Sequence, residues 1–248
     1  GNSTQTASPG TAGGALRLGT GTHSVRRSVF DGNETDTWGG AILLVGGGNL
    51  TVEDSQFRNN LVGRSTAGGS ADAYGGGAIH VQGGSSPASV TIIDSLFEDN
   101  EAQGTTDTAD GGALDIDGIG RIRNSRFFRN TSADEGGAIH SNNPNADISI
   151  GAATFAGNVS STDGGAIFAA QGELTVASSE FYGNSSTGGT AGAIRTTTGT
   201  LVSSSTFVEN TQSSGEEVVM DAGEISNSVF AGDDVPGGSP TVTYTILG

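Results

Sequence analysis

The sequence predicts an all-β protein, a right-handed parallel β-helix (solenoid) of about eight coils. A short motif centred on a phenylalanine occurs eight times along the 248 residues, at intervals of 23 to 40 residues. A second motif, Gly-Gly-Ala-Ile or a close variant, precedes it in most copies. No window shows apolar residues at the three-to-four spacing of an amphipathic helix, so helical repeats are excluded.

The phenylalanine motif fixes four positions in each copy. The aligned phenylalanines are Phe30, Phe57, Phe97, Phe127, Phe155, Phe181, Phe207 and Phe230. A β-branched residue stands five positions earlier in all eight copies, and serine stands two positions earlier in seven, with Ala153 as the exception. Asparagine follows three positions later in seven copies, and Asp233 takes its place in the last. These asparagines are Asn33, Asn60, Asn100, Asn130, Asn158, Asn184 and Asn210.

The glycine motif is the second landmark of each unit. Its first residues are Gly13, Gly39, Gly76, Gly111, Gly136 and Gly164. The motif weakens to Ala-Gly-Ala-Ile from Ala191 and to Glu-Glu-Val-Val from Glu216. A glycine pair at a fixed place predicts a sharp corner that needs positive φ or a close approach between backbones. The altered last unit is typical of a terminal repeat.

Stacking gives such small units an interior. A unit of about 25 residues with short alternating segments cannot bury its apolar face alone, but copies stacked about 4.8 Å apart can. Phenylalanine and β-branched columns are then expected inside, with asparagines hydrogen-bonded along the stack. A propeller blade needs about 40 residues and four strands, more than most units offer. The short-period Gly-Gly-x-Gly-x-Asp run of a calcium-binding roll is not seen.

Composition narrows the functional classes. The apolar fraction of 33% suits a thin core repeated along an axis. The net charge is −17, from 27 acidic residues against 10 basic ones that are all arginine, which argues against binding of nucleic acid or anionic membrane. There is no cysteine, so disulfides do not stabilise the chain, and no apolar run is long enough to span a membrane. The acidic charge favours the solubility of an extracellular protein, and a protein from a salt-loving source is the alternative.

The repeat also predicts how the chain is divided. Residues 1–12 are expected to form an N-terminal edge segment, 13–233 the β-helix, and 234–248 a C-terminal edge strand. Three stretches exceed the repeat and are expected to be loops at coil junctions, where solenoids carry variation. They are residues 61–75, 83–88 and 101–110.

Together the two motifs resemble the repeat of the chlamydial polymorphic membrane proteins and of related surface proteins in bacteria and archaea. Phe57-Arg58-Asn59-Asn60 and the run from Gly136 to Ile139 are representative. The resemblance covers about residues 13–233 and implies a secreted, surface-displayed scaffold that often acts in adhesion. The absence of cysteine departs from the chlamydial members.

One candidate site lies on the strand that follows each Gly-Gly-Ala-Ile motif. Alternation places two columns of side chains on the outer side, and in three consecutive coils they are polar. These residues are His80, Gln82, Asp115, Asp117, His140 and Asn142. They are predicted to bind a ligand or a Zn²⁺-class metal. Asp115 and Asp117, expected about 7 Å apart, are instead candidate catalytic residues for an acid/base reaction on sugar. A hydrated face that binds nothing is the remaining interpretation.

A second candidate site precedes the glycine pair. Asp110, Glu135 and Asp163 occupy equivalent positions in consecutive coils, where stacked carboxylates repel unless one is protonated or a cation lies between them. Calcium suits ligands that are all oxygen, and Asp107 and Asp134 are close enough in sequence to join it. Apart from these candidate metal ions, the sequence implies no cofactor. Turns that direct the carboxylates into water are the alternative.

Three functions remain open on the sequence. The leading one is a non-enzymatic surface scaffold, an adhesin that binds a cell-surface protein or glycan. A carbohydrate-active β-helix enzyme, a polysaccharide lyase or glycosidase using Asp115 and Asp117, is the first alternative. The second is self-association, with coils stacking end to end into an extracellular fibre or sheath, because residues 241–247 form an alternating strand with an uncovered edge.

Overall fold

A computed structural model describes residues 3–4, 13–63, 74–104, 109–214, 216–231, 237–238, 240–243 and 246–247. Every regular element in these ranges is a β-strand, and every pairing between strands is parallel. The same ranges contain no helix that is long and apolar enough to cross a bilayer. The predicted parallel β-helix is confirmed.

Each coil contributes strands to four stacks. The Ile stack, which follows the glycine pair, contains Leu16–Leu18, Ile42–Leu44, Ile79–Val81, Leu114–Ile116, Ile139–Ser141 and Ile167–Ala169. The Val stack contains Thr22–Arg26, Asn49–Glu53, Ser89–Ile93, Ile119–Arg123, Asp147–Gly151, Glu173–Ala177 and Thr241–Thr243. The long strands Ala191–Ser203 and Glu216–Ser226 run through both stacks and join them into one sheet.

The other two stacks are built from shorter strands. The Phe stack contains Val29–Asp31, Gln56–Arg58, Leu96–Glu98, Arg126–Phe128, Thr154–Ala156, Glu180–Tyr182, Thr206–Val208, Val229–Ala231 and Ile246–Leu247. The short stack contains Ser3–Thr4, Glu34–Thr35, Leu61–Val62, Glu101–Ala102, Thr131–Ser132, Val159–Ser160, Ser185–Ser186 and Thr211–Gln212. Tyr74–Gly75 pairs with Ala109–Asp110 beside the glycine corners, and Gly237–Gly238 pairs with the last long strand.

The interior is a set of residue columns. The eight phenylalanine rings form seven consecutive stacked pairs with centroids 4.7–4.9 Å apart, so this column spans seven complete turns. All are fully buried except Phe30 in the first coil, which is partly covered. The eight β-branched residues five positions earlier are buried as well. The predicted core is therefore confirmed.

The asparagines form a continuous buried ladder. Asn100 illustrates the repeated pattern: its Nδ2 donates to Oδ1 of Asn130 at 2.9 Å and to the carbonyl of Phe57 at 3.0 Å. Its backbone N–H donates to the same Oδ1 at 3.1 Å. Side-chain and backbone donors of one coil are thus satisfied by the amide of the next. Asp233 lies outside the described residues.

Two single-residue bends connect the Val, Phe and short stacks. The residue before the serine column and the residue before the asparagine column both have positive φ, and many of them are not glycine. Those are Arg27, Asp54, Asp94, Asn124, Ala152, Ser178, Ser204 and Asn227 at the first bend, and Asn59, Asp99, Arg129 and Glu209 at the second. The spacing of the phenylalanine motif follows from these bends, since each turns the chain within one residue.

The two glycines of the pair each meet one of the predicted requirements, which were a positive φ and a close approach between backbones. Gly136 has a φ of 64°, and a Cβ there would lie 2.2 Å from the carbonyl oxygen of Ile139. A Cβ on Gly137 would lie 2.1 Å from the carbonyl oxygen of Gly165 in the next coil. The first glycine permits the left-handed turn, and the second permits the backbones of two coils to touch. Of the predicted junction loops, residues 64–73 and 105–108 lie outside the described residues.

Candidate functional site

The first outward column of the Ile stack is buried from Leu43 to Phe168, which corrects the expectation of a hydrated face there. His80, Asp115 and His140 alternate with core residues and so lie on the outer side of their strands, in register from coil to coil. Yet they are only 7%, 7% and 5% exposed. Leu43 and Phe168, at the two ends of the same row, are also buried. The row therefore lies beneath another layer of chain.

That layer is the segment before each glycine pair, which crosses the outer side of the row. Gly75 lies so close to Asp115 that a Cβ on it would be 1.9 Å from Oδ2 of the carboxylate. Gly75 pairs with Asp110, the equivalent residue one coil later. Glu135 continues this layer in the next coil, where its carbonyl accepts a hydrogen bond from the N–H of Gly111. The glycine corner thus folds carboxylates back over the histidine-bearing strand.

Asp115 joins the two histidines. Its Oδ2 lies 2.7 Å from Nδ1 of His80, and its Oδ1 lies 2.9 Å from Nδ1 of His140. An ionised carboxylate can only accept hydrogen bonds, so each Nδ1 carries a proton. Trp38 packs against His80 and Phe168 stacks on His140, with ring centroids 6.2 and 5.6 Å apart. Both rings are held in fixed orientations.

The other ring nitrogen of His140 faces the carboxylates that precede the glycine pairs. Nε2 lies 3.8 Å from Oδ2 of Asp110 and 3.7 Å from Oε2 of Glu135, too long for hydrogen bonds. The ligand atoms of these three residues all lie within 4.8 Å of one another. The two sites predicted separately are therefore one network. His140, rather than Asp163, completes the set with Asp110 and Glu135.

The remaining acidic residues of the predicted calcium site are directed elsewhere. Oδ1 of Asp163 accepts hydrogen bonds from the backbone N–H and the hydroxyl of Thr190, at 2.6 and 2.9 Å. Asp134 is buried and accepts a hydrogen bond from Thr162 at 2.9 Å. Asp107 lies outside the described residues. A calcium ion held by Asp110, Glu135 and Asp163 stays a prediction from the sequence that the geometry does not favour.

Burial and close charges shift the pKa values of this network. Burial raises the pKa of Asp110 to about 6 and that of Glu135 to about 7. Burial alone would lower the pKa of His140, but its hydrogen bond to Asp115 and the charges of Asp110 and Glu135 raise it to about 9. Burial would raise the pKa of Asp115, yet the charges and hydrogen bonds of both histidines hold it well below its usual range.

The second outward column is more accessible. Gln82 and Asn142 are exposed, and Asp117 between them is half-buried. Ligand atoms of Asp115 and Asp117 lie within 4.8 Å of each other, closer than the predicted 7 Å. Burial and the charge of Asp115 raise the pKa of Asp117. Sequence periodicity placed all these residues on the correct side of the strand, but it did not show which of them the preceding corner covers.

A different surface carries two aromatic side chains, of which Tyr182 is exposed and Phe128 is half-buried. On the outer side of the Phe stack, Phe128, Ala156 and Tyr182 occupy the same position in three successive coils. Tyr182 is 52% exposed, and the guanidinium carbon of Arg126 lies 6.0 Å from the centroid of the Phe128 ring. With coils about 4.8 Å apart, the two aromatic residues are about 10 Å apart across the small alanine. The outward positions of the phenylalanine motif contain this surface, which sequence reasoning missed.

The comparison with known protein families gives a match in the central coils of the β-helix. The family model of the Chlamydia polymorphic membrane protein repeat matches residues 124–142 and 152–170. Each match begins at the bend before the phenylalanine, includes the asparagine, and ends one residue after the strand that follows the glycine pair. Two units of the chain are therefore similar to the Chlamydia polymorphic membrane protein repeat. Searches of curated proteins and of solved structures found no significant match.

The first matched unit contains two residues of the network, Glu135 and His140. Asp110 and Asp115 precede the match and are separated from it by the strand Ile119–Arg123. The network is therefore built on regular repeat positions, one before the glycine pair and one after it. What distinguishes these coils is the chemistry of the side chains at those positions. The backbone of the repeat fixes where these side chains lie, and the residue types of this chain at those positions provide the ligand atoms.

Proposed function

We propose that this chain is a surface-displayed β-helix scaffold that binds a glycan or protein partner and performs no catalysis. The match to a repeat of membrane proteins and the acidic composition support display outside the cell. The observation that carries the binding proposal is the outer surface of the Phe stack. It presents Phe128 and Tyr182 on either side of Ala156, on a regular and rigid sheet.

This surface has the chemistry of a recognition site. Aromatic side chains are enriched in binding surfaces because they offer large contact areas at a small entropic cost. A sugar ring can lie flat against an aromatic ring, and the alanine between Phe128 and Tyr182 leaves room for a ring or a peptide side chain. Arg126 and Glu180 add polar groups at the neighbouring outward positions of the same strands.

The alternative of a carbohydrate-active enzyme has one observation in its favour. The pKa of Asp115 is lowered and that of Asp117 is raised, the pattern of an acid/base pair. Asp115, however, is 7% exposed, and its two oxygens are hydrogen-bonded to His80 and His140. A sugar could reach it only if the Gly75 segment moved away. Release of reducing ends or unsaturated products that is lost in a D115N/D117N double variant would support the enzyme.

End-to-end stacking is the second alternative. Within the described residues, Leu16–Leu18, Thr22–Arg26 and Val29–Asp31 each pair with a neighbouring strand on one side only. Unpaired strand edges can add a further copy. Electron microscopy of the purified chain separates the alternatives, since short single rods exclude a fibre and long filaments support one.

The binding proposal is tested with the purified chain on a glycan array and on intact host cells. Replacing Phe128 or Tyr182 with alanine is expected to reduce binding at least tenfold, by the loss of about 1.4 kcal/mol or more. Leu201→Ala is the matched control, because Leu201 is 40% exposed but lies on the Val stack. Equal binding by all three variants and the parent chain would exclude this surface as the site.

A further inference from the structure

We infer that Asp110, Glu135 and His140 form a binding site for a Zn²⁺-class divalent metal ion that links two coils of the β-helix. Asp110 belongs to the fourth coil, and the other two ligands belong to the fifth. The inference rests on the positions of the three side chains, the orientation of one buried imidazole, and the hydrogen bond that fixes it. It is independent of the binding function proposed for the Phe stack.

The donor atoms are arranged around a common point. Nε2 of His140 lies 3.8 Å from Oδ2 of Asp110 and 3.7 Å from Oε2 of Glu135. Ligands about 2.1 Å from a tetrahedral Zn²⁺ ion lie about 3.4 Å apart, so small rotamer adjustments bring the three atoms to bonding distance. Three protein ligands leave one position for water.

The hydrogen bond to Asp115 and the stacked ring of Phe168 orient the imidazole of His140 so that its Nε2 is directed toward Asp110 and Glu135. His140 is 5% exposed, and no hydrogen bond to its Nε2 exists among the described residues. The nitrogen is directed between two carboxylates at distances too long for hydrogen bonding. A buried ring nitrogen placed in this way can bind a metal ion that displaces its proton.

Asp115 completes the arrangement from the second shell. It accepts the hydrogen bond from Nδ1 of His140 at 2.9 Å, which leaves Nε2 as the nitrogen that can bind the metal. Metal-binding histidines usually donate their other N–H to a carboxylate or carbonyl, which fixes the tautomer and the ring orientation. Here Asp115 is itself fixed by His80 at 2.7 Å.

The ligand set distinguishes between metals. Calcium takes six to eight oxygen ligands, whereas an imidazole together with two carboxylates suits Zn²⁺, Co²⁺ or Ni²⁺. Asp163, which would make the set all-oxygen, is hydrogen-bonded to Thr190 instead. The site is therefore assigned to a transition-metal ion and not to calcium.

The test measures binding of Co²⁺ and Zn²⁺ to the purified, chelator-treated chain. Co²⁺ is expected to bind with 1:1 stoichiometry and to give the strong visible absorption of tetrahedral cobalt, and Zn²⁺ is expected to displace it. E135Q and H140Q should weaken Zn²⁺ affinity about 100-fold or more, and D115N about 10- to 100-fold through the second shell. Circular dichroism verifies that each variant remains folded.

His23→Gln is the matched control, because His23 lies in the first coil and its Nε2 is hydrogen-bonded to the carbonyl of Gly19. It should bind metal like the parent chain. Absence of Co²⁺ and Zn²⁺ binding by the parent, full affinity in the folded E135Q and H140Q variants, or a preference for Ca²⁺ over Zn²⁺ would each overturn the assignment. Loss of glycan or cell binding would not, since that surface lies on a different stack.

Discussion

Nδ2 of Asn130 lies 2.9 Å from Oδ1 of Asn158, and both residues are fully buried. This bond is one step of a ladder that continues coil by coil through the stack. Because Oδ1 of Asn158 also accepts the backbone N–H of Asn130 at 3.0 Å, one amide oxygen satisfies two donors. A buried polar column is stable only when its members are all paired.

Replacing Asn130 with alanine should therefore destabilise the chain by about 3 kcal/mol or more. The change removes partners from the backbone N–H and the Nδ2 of Asn100 and from the carbonyl of Phe97, and each unpaired buried group costs about 1–3 kcal/mol. Denaturant unfolding monitored by circular dichroism measures the loss. N130D, with nearly the same volume but no amide donors, should be at least as damaging. Asn145→Ala, at an exposed position, is the control. A similar loss of stability in that variant would show that the ladder contributes nothing to the free energy of unfolding.

The ladder and the core could be predicted from sequence because stacking places the same residue in the same environment in each coil. The columns of Phe57, Val52 and Asn60 follow directly from that rule, as does the glycine corner. The site could not be derived in the same way. Whether His140 is exposed depends on how Glu135, five residues earlier, is folded back by a left-handed turn. Periodicity shows the side of a strand on which a residue lies, not what covers it.

The exception in the serine column offers a gain in stability. The hydroxyl of Ser179 shows the usual pattern. It donates a hydrogen bond to the carbonyl of Ala177, two residues earlier, and accepts one from the N–H of Ala153, which occupies the same column in the preceding coil. Ala153 offers no hydroxyl to Ser125. A153S should add both bonds and raise the free energy of unfolding by about 1 kcal/mol.

Ala152→Ser is the matched control for this substitution. Ala152 is the adjacent exposed residue at the bend, where an added hydroxyl would not join the serine column. The stability of A152S should therefore stay close to that of the parent chain. Thermal and denaturant unfolding of the two variants provide the comparison. A loss of stability in A153S would mean that the fifth coil has no space for the oxygen.

Without metal, the chain should be most stable at mildly acidic pH. The raised pKa values of Asp110, Glu135 and His140, about 6, 7 and 9, mean that the folded state binds protons more tightly than the unfolded state. The stabilisation that these three groups contribute is then present at about pH 4, and it is lost as the pH rises through these pKa values. The lowered pKa of Asp115 acts in the opposite direction, but only below about pH 4.

Unfolding in a chelating buffer at a series of pH values measures this dependence. Asp110 and His140 keep raised pKa values of their own, so E135Q should flatten the curve between about pH 5 and 7 without abolishing it. Stability that increases from pH 5 to 9 in the metal-free parent chain would contradict the shifts. Addition of Zn²⁺ should stabilise the chain most at neutral and higher pH, where protons no longer compete for the ligands.

Gly75 should tolerate no side chain, because it forms the cover over Asp115. A Cβ at this position would lie 1.9 Å from Oδ2 and 2.6 Å from Cγ of the carboxylate. Asp115 cannot easily move aside, since His80 and His140 hold its two oxygens at 2.7 and 2.9 Å. G75A is expected to cost about 1–3 kcal/mol as an overpacked site and to lower the pKa of His140 from about 9 toward its ordinary value. Histidine titration by NMR detects that second effect, which general destabilisation would not produce. Gly151→Ala, which has open space for a Cβ, should leave both stability and the titration of His140 unchanged, and the same result for G75A would mean that the Gly75 segment does not cover the row.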